Sequence, residues 1–257
     1  MEFGSLFLCR VRASVRQRMR RAIWRLRYQI RRFREMTGGS HPGQRDSHFS
    51  QRIGRETDRA LPQVIFINLD SRKDRLEETN QELTRMGFSS IERLCAYKEN
   101  NGALGCALSH VAALEKVGKK NELVLVCEDD VEFIVDTEKL QATLDDFMGD
   151  PSLDILCLAY NIYVTPRKVS RLLGITNDTT GTACYIVKPH AVSEVVEVFQ
   201  ESARLLASGA PRETAAIDVL WKRLQQGRLF FSVPLERVAR QRTSYSDIER
   251  RHTNYGV

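Results

Sequence analysis

The run Leu123-Val124-Leu125-Val126-Cys127 passes without a break into Glu128-Asp129-Asp130, and this junction constrains the fold more than any other stretch. An uninterrupted apolar run bounded by polar residues reads as a strand buried on both faces, with helices on either side of its sheet. Its carboxyl end then delivers three acids to the edge at which open α/β sheets bind ligands. Adjacent carboxylates repel one another and resist losing water, so they make a poor structural choice without a cation beside them. A hard divalent ion such as Mg2+ takes oxygen ligands and bridges carboxylates to phosphates, which points to a nucleoside-diphosphate site. Because side chains alternate along a strand, Glu128 and Asp130 are expected to share a face and hold the metal while Asp129 points away.

Two other readings fit the local pattern. An acidic cluster after a strand can be a solvated turn. A strand ending in paired Asp also resembles the acidic pocket of a phospho-receiver domain, which needs a second strand that ends in an acceptor Asp. The next strand candidate, residues 154–160, carries Asp154 at its start and closes on Ala159-Tyr160, which argues against a receiver.

The net charge of +6 is unevenly distributed. Residues 1–36 hold eleven Arg against two Glu, a local +9, so the remainder sums to −3. A mildly acidic body with a basic arm does not predict a nucleic-acid groove built into the fold. Within the arm, Val11, Val15, Met19, Ala22, Ile23, Leu26, Ile30 and Phe33 recur at steps of three and four, one apolar stripe of a helix flanked by Arg, with Trp24 near its edge. A basic amphipathic helix of this composition fits the plane of an anionic membrane surface; a transit peptide and an arm that packs on a partner are the alternatives. No run approaches a transmembrane helix, so the expected location is cytoplasmic and peripheral at a membrane. Six Cys at 9, 95, 106, 127, 157 and 184 lack short metal-type spacing and read as reduced thiols.

Residues 37–60 are rich in Gly, Ser, His and charge without periodicity, a linker. From residue 61 to 257, strand-like and helix-like patterns alternate. Strands are expected at Val64–Leu69, within Phe88–Ala96, at Leu123–Cys127, Leu153–Tyr160, Thr182–Val187 and Leu229–Val233. Helices are expected up to Met86 from a capping-box-like Ser71…Asp74, from Gly102 to Val117, from Asp136 to Met148, from Pro189 to Leu206, and around Ile217–Trp221. Residues 161–180 read as an irregular loop facing an acceptor. The alternation implies an α/β sandwich with a largely parallel sheet.

Three separated segments together resemble the family 25 glycosyltransferases, the lipopolysaccharide-biosynthesis and collagen-galactosyltransferase-like group. They are Ile67-Asn68-Leu69-Asp70 with Arg72 and Arg75, Gly105-Cys106 followed by Ser109-His110, and Glu128-Asp129-Asp130. Weaker echoes are Gly181–Tyr185, Asp218 and Ser244–Ile248; the chain departs from the family at Ala103, where members often carry an acid. The resemblance implies a GT-A-type nucleotide-sugar-binding α/β/α sandwich and a donor such as UDP-galactose or UDP-glucose. It also implies a glycan or glycolipid acceptor, and Mn2+ or Mg2+ held by Glu128 and Asp130. It further implies that Asn68, Leu69, Arg72, Arg75 and Asp129 approach the donor and that Ser109 and His110 shape the same pocket. Asp218 would be the base of an inverting hexosyl transfer, and a tail with Ser244, Asp247 and His252 would act as a lid. The Ala103 departure and the basic arm leave a second reading, a catalytically silent, membrane-docked module of the same fold.

Overall fold

The protein is described here by a computed structural model covering residues 22–24, 26–33, 61–120, 122–246 and 251–253. The expected linker at 37–60 and residues 1–21 of the arm lie outside the described residues.

The apolar run that opens the body forms β1 (Gln63–Asn68), whose alternate side chains enter two different cores. Ile65 and Ile67 pack into one, Val64 and Phe66 into the other. Helix α2 (Lys73–Arg85) brings β1 to β2 (Ile91–Cys95), and α3 (Gly102–Gly118) returns the chain to β3 (Val124–Glu128) on the opposite side of β1. Both pairings are parallel, with Asn68 opposite Cys95 and Ile67 opposite Glu128. Leu83 of α2 belongs to the core of Val64 and Phe66, whereas Leu114 of α3 belongs to that of Ile65 and Ile67. The two helices therefore cover opposite faces of the sheet, and the carboxyl ends of β1 and β3 border the point at which the strand order reverses.

Beyond β3 come β4 (Val131–Phe133), α4 (Thr137–Gly149) and β5 (Ile155–Ile162), then β6 (Arg167–Lys168), β7 (Leu173–Thr176) and β8 (Thr179–Val187). Pro189 opens a single 3-10 turn before α5 (Val192–Ala207), and α6 (Arg212–Ala215) and α7 (Ile217–Leu220) lead through a 3-10 segment to β9 (Phe231–Pro234). The eight-stranded sheet has the order β2-β1-β3-β8-β5-β9-β7-β6. Six of its strands share one direction; β8 and β7 are reversed. This is the expected α/β/α sandwich with a mostly parallel sheet, with antiparallel β8 inserted between β3 and β5.

Three local expectations are corrected. Residues 161–180 are not an irregular loop: all four residues of β7 are buried, and the strand pairs with β9 at the sheet's far side. Gly174 and the flanking charges hide that short apolar run in the sequence, and the free edge of β9 decides it. Ser71 does not cap α2; Arg72 occupies the cap position and no side chain caps there. Leu229–Val233 does not close the strands, because β10 (Ala239–Gln241) pairs antiparallel with β4, and β11 (Ser244–Ser246) with β12 (Arg251–Thr253).

The arm adds a buried side beside its apolar stripe. Residues 22–24 and 26–33 are helical, here α1, and the stripe faces outward: Ile23, Leu26, Ile30 and Phe33 are 48%, 56%, 42% and 68% exposed. The buried side is that of Trp24 and Tyr28, which join the core beside Phe230. Partner chemistry sets the choice. Tyr28 donates to Asp150 at 2.8 Å, and Arg31 forms two hydrogen bonds of 2.6 and 2.7 Å with fully buried Asp154. Two large rings packed on Phe230, one of them with its hydroxyl bonded to Asp150, bury a large apolar area on that side of the helix. Among the described residues, no helix is long and apolar enough to cross a membrane.

Candidate active site

Where β1 and β3 end, the turn before α2, the loop between β2 and α3, and the start of α3 enclose a cavity of about 350 Å³. Ile67, Leu69, Ser71 and Arg75 form one side, and Ala96 to Asn100 with Gly105, Cys106, Ser109 and His110 the other; Glu128, Asp129, Asp130 and Gln241 close it. Two sequence features build the second wall. Asn101 caps α3 by accepting from the N–H groups of Ala103 and Leu104. Gly105 lets the helix press against the loop, since a Cβ there would lie 2.5 Å from the Tyr97 carbonyl oxygen. Ser109 then ties loop to helix, accepting from Tyr97 N–H at 2.9 Å and donating to Gly105 O at 2.6 Å.

The acids do not follow strict alternation. β3 ends at Glu128 and the next two residues turn, so Asp129 stays at the cavity beside Asp130 instead of pointing away. Asp129 accepts from Asn68 Nδ2 at 2.8 Å and from Arg75 at 2.6 Å; the same Arg75 nitrogen reaches Asp130 at 3.1 Å. Pairing of β10 with β4 brings in Gln241, which donates to Asp130 Oδ2 at 3.0 Å. Glu128 accepts from Thr182 at 3.3 Å.

Burial and the Glu128 carboxylate push Asp130 up to about 7, against the pull of Arg75. Burial also raises Asp129, although Arg75 and Asn68 oppose it. For Glu128 burial is outweighed by His110, Arg75 and Thr182, which hold it below the usual range. Asp130 Oδ1 is buried without a hydrogen-bond partner. An orphaned carboxylate oxygen beside a second acid, in a cavity that raises the cost of ionisation, fits a divalent cation with oxygen ligands.

The remaining expected residues divide into lining and supporting groups. Leu69, Arg75, Ser109 and His110 line the cavity. Asn68 lies behind it, donating to Asp129 and to the Arg72 carbonyl and accepting from Arg93. Arg72 is turned toward Asp74 at 2.9 Å. Asp218, at the start of α7, is outside the cavity lining and accepts from Gly181 N–H at 3.2 Å. Burial and the Glu128 charge raise its pKa. Ser244 and His252 are described only as backbone in β11 and β12, and Asp247 lies outside the described residues.

Sequence reasoning missed Tyr97, Lys98, Glu99, Asn100 and Gln241. The loop could have been found, because segments after parallel strands line such crevices. Gln241 had no local signal, since it meets Asp130, 111 residues earlier, only through the pairing of β10 with β4.

Residues 95–208 match the family described as "Glycosyltransferase family 25 (LPS biosynthesis protein)". No curated protein matches the chain at a significant level. Among solved structures, the chain is similar to a glycosyltransferase involved in the glycosylation of the major capsid of PBCV-1. There the TM-score is 0.44 with 12% identity, over 74% of this chain and 97% of that one. It is also similar to A197 from STIV, at 0.38 and 14% over 76% and 100%. A third likeness is to a protein titled mannose-1-phosphate geranyltransferase from Thermus thermophilus, at 0.38 and 11% over 70% and 74%.

Proposed function

We propose, on the support of the family 25 glycosyltransferase match across residues 95–208, that this chain is a glycosyltransferase that moves a hexose from a nucleotide-diphosphate sugar to a hydroxyl. Galactose or glucose from a UDP donor, a glycan, glycolipid or lipopolysaccharide acceptor, and inversion at the transferred carbon complete the reading, on a GT-A-type fold. The observation that carries it is the orphaned Asp130 oxygen beside Glu128 in a cavity bordered by Arg75.

Glu128 and Asp130 would hold Mn2+ or Mg2+. When bound, the ion offsets the negative charge that grows on the departing diphosphate. Arg75 fixes Asp129 and Asp130 and adds positive charge on the same side. Asn68 acts as a positioning residue by holding Asp129, and Arg72 does so through its carbonyl on Asn68. Ser109 holds the Tyr97 loop against α3, giving the donor a fixed wall. Asp218 would take the acceptor proton at a carboxylate whose basicity is increased by burial.

A panel of nucleotide sugars with Mn2+ or Mg2+ tests the reading. Transfer or slow donor hydrolysis that disappears in Asp130→Ala is expected. Metal-dependent donor binding separates this reading from the catalytically silent module, which should show none, and neither binding nor turnover across the panel would overturn the reading.

The outward stripe of α1 supports docking on an anionic membrane, its exposed Ile23, Leu26, Ile30 and Phe33 lying in an arm of +9. Because Trp24 and Tyr28 belong to the core, deleting the arm would damage the body, so point changes are the better test. Leu26→Ser with Ile30→Ser should abolish co-sedimentation with phosphatidylserine vesicles at unchanged melting temperature; undiminished binding would refute it.

A further inference from the structure

We propose that Cys106, His110 and Glu128 form a second, softer cation site on the α3 side of the cavity, a three-ligand centre suited to Zn2+. Cys106 and His110 are four residues apart on α3 and so share a face, and Glu128 meets them from the end of β3. A sulfur, an imidazole nitrogen and a carboxylate oxygen from the three lie within 4.8 Å of one another.

The imidazole is the independent sign of a missing ligand. His110 is fully buried, yet its Nε2 makes no hydrogen bond and faces the Glu128 carboxylate. A buried histidine kept only for packing would normally satisfy both ring nitrogens. Its Nδ1 lies 2.9 Å from the Tyr185 hydroxyl, an outer partner of the kind that orients metal-binding imidazoles. Nε2 stands 3.4 Å from Glu128 Oε1. Two ligands each about 2.1 Å from a tetrahedral ion are about 3.4 Å apart, so this edge already has the required length.

Thiolate and imidazole select a different ion from the oxygen-only pair Glu128 and Asp130. Uptake exchanges the Cys106 proton for the cation and releases that proton to solvent. All three side chains border the cavity, so three protein ligands leave a fourth position facing it for water or a bound oxygen. The site stands apart from the donor-metal assignment except for sharing Glu128.

Cobalt titration of the full, chelator-treated chain under thiol-protecting conditions tests it. About one Co2+ per chain should produce a thiolate-to-cobalt absorption band and tetrahedral visible bands, both displaced by Zn2+. Cys106→Ala should abolish the charge-transfer band, whereas Cys95→Ala, at an exposed thiol, and Asp130→Asn should retain it. Tyr185→Phe should weaken cobalt affinity about tenfold. Melting curves establish that the variants fold. Absence of the charge-transfer band in the unaltered chain, or its survival in folded Cys106→Ala, would overturn the proposal.

Discussion

Arg75 and Asp129, 54 residues apart, are joined by a 2.6 Å hydrogen bond, and the same guanidinium nitrogen also reaches Asp130. One cation from the first turn of α2 thereby fixes two acids at the end of β3. Removing one partner of a buried pair leaves an uncompensated charge, worth roughly 3 kcal/mol. Arg75→Ala should lower stability by about that amount in chelator and by less in Mn2+, as differential scanning calorimetry would measure.

The cavity wall depends on Gly105. In Gly105→Ala the new methyl would meet backbone at Tyr97, which cannot turn aside as a side chain could. Overpacking of this kind costs about 1–3 kcal/mol, and displacement of the loop should weaken donor binding about tenfold by calorimetry. Gly149→Ala is the control, since a Cβ there meets nothing within 4 Å; it should leave donor binding unchanged.

For Asp218 the prediction concerns rate. Asp218→Asn should lower kcat by about 10²–10⁴-fold while the donor dissociation constant stays the same. A general base works when deprotonated. Because burial and Glu128 raise this carboxyl, the rising limb of the kcat–pH profile should lie above the ordinary aspartate value of about 4.

The α1 latch has its own pH signature. Burial opposes ionisation of Asp154, but hydrogen bonds from His190, Arg31 and the Phe230 N–H, with the Arg31 charge, outweigh it and depress its pKa. A depressed carboxylate stabilises the fold above its unfolded pKa, and that contribution disappears as pH falls through the folded one. Arg31→Ala should therefore cost roughly 3 kcal/mol near neutral pH. The difference from the unaltered chain should shrink below about pH 4, measured by urea unfolding across that range.

Asp154 also decides against a receiver pocket. β5 runs in the same direction as β3, so Asp154 at its amino end and Glu128 at the carboxyl end of β3 lie at opposite edges of the sheet.

The sequence by itself determined the α/β alternation, the two-sided burial of β1 and β3, and the arrival of three acids at one sheet edge. Each follows from local periodicity, which a residue's near neighbours impose. Tertiary structure decided the rest: the reversed β8, the face on which α1 docks, the turn that keeps Asp129 at the cavity, and the entry of Gln241 and the Tyr97 loop. Those outcomes depend on hydrogen-bond partners and strand edges supplied from far along the chain, so no window of adjacent residues contains them. Arg31 finds Asp154 and Gln241 finds Asp130 only after the sheet has brought their elements together.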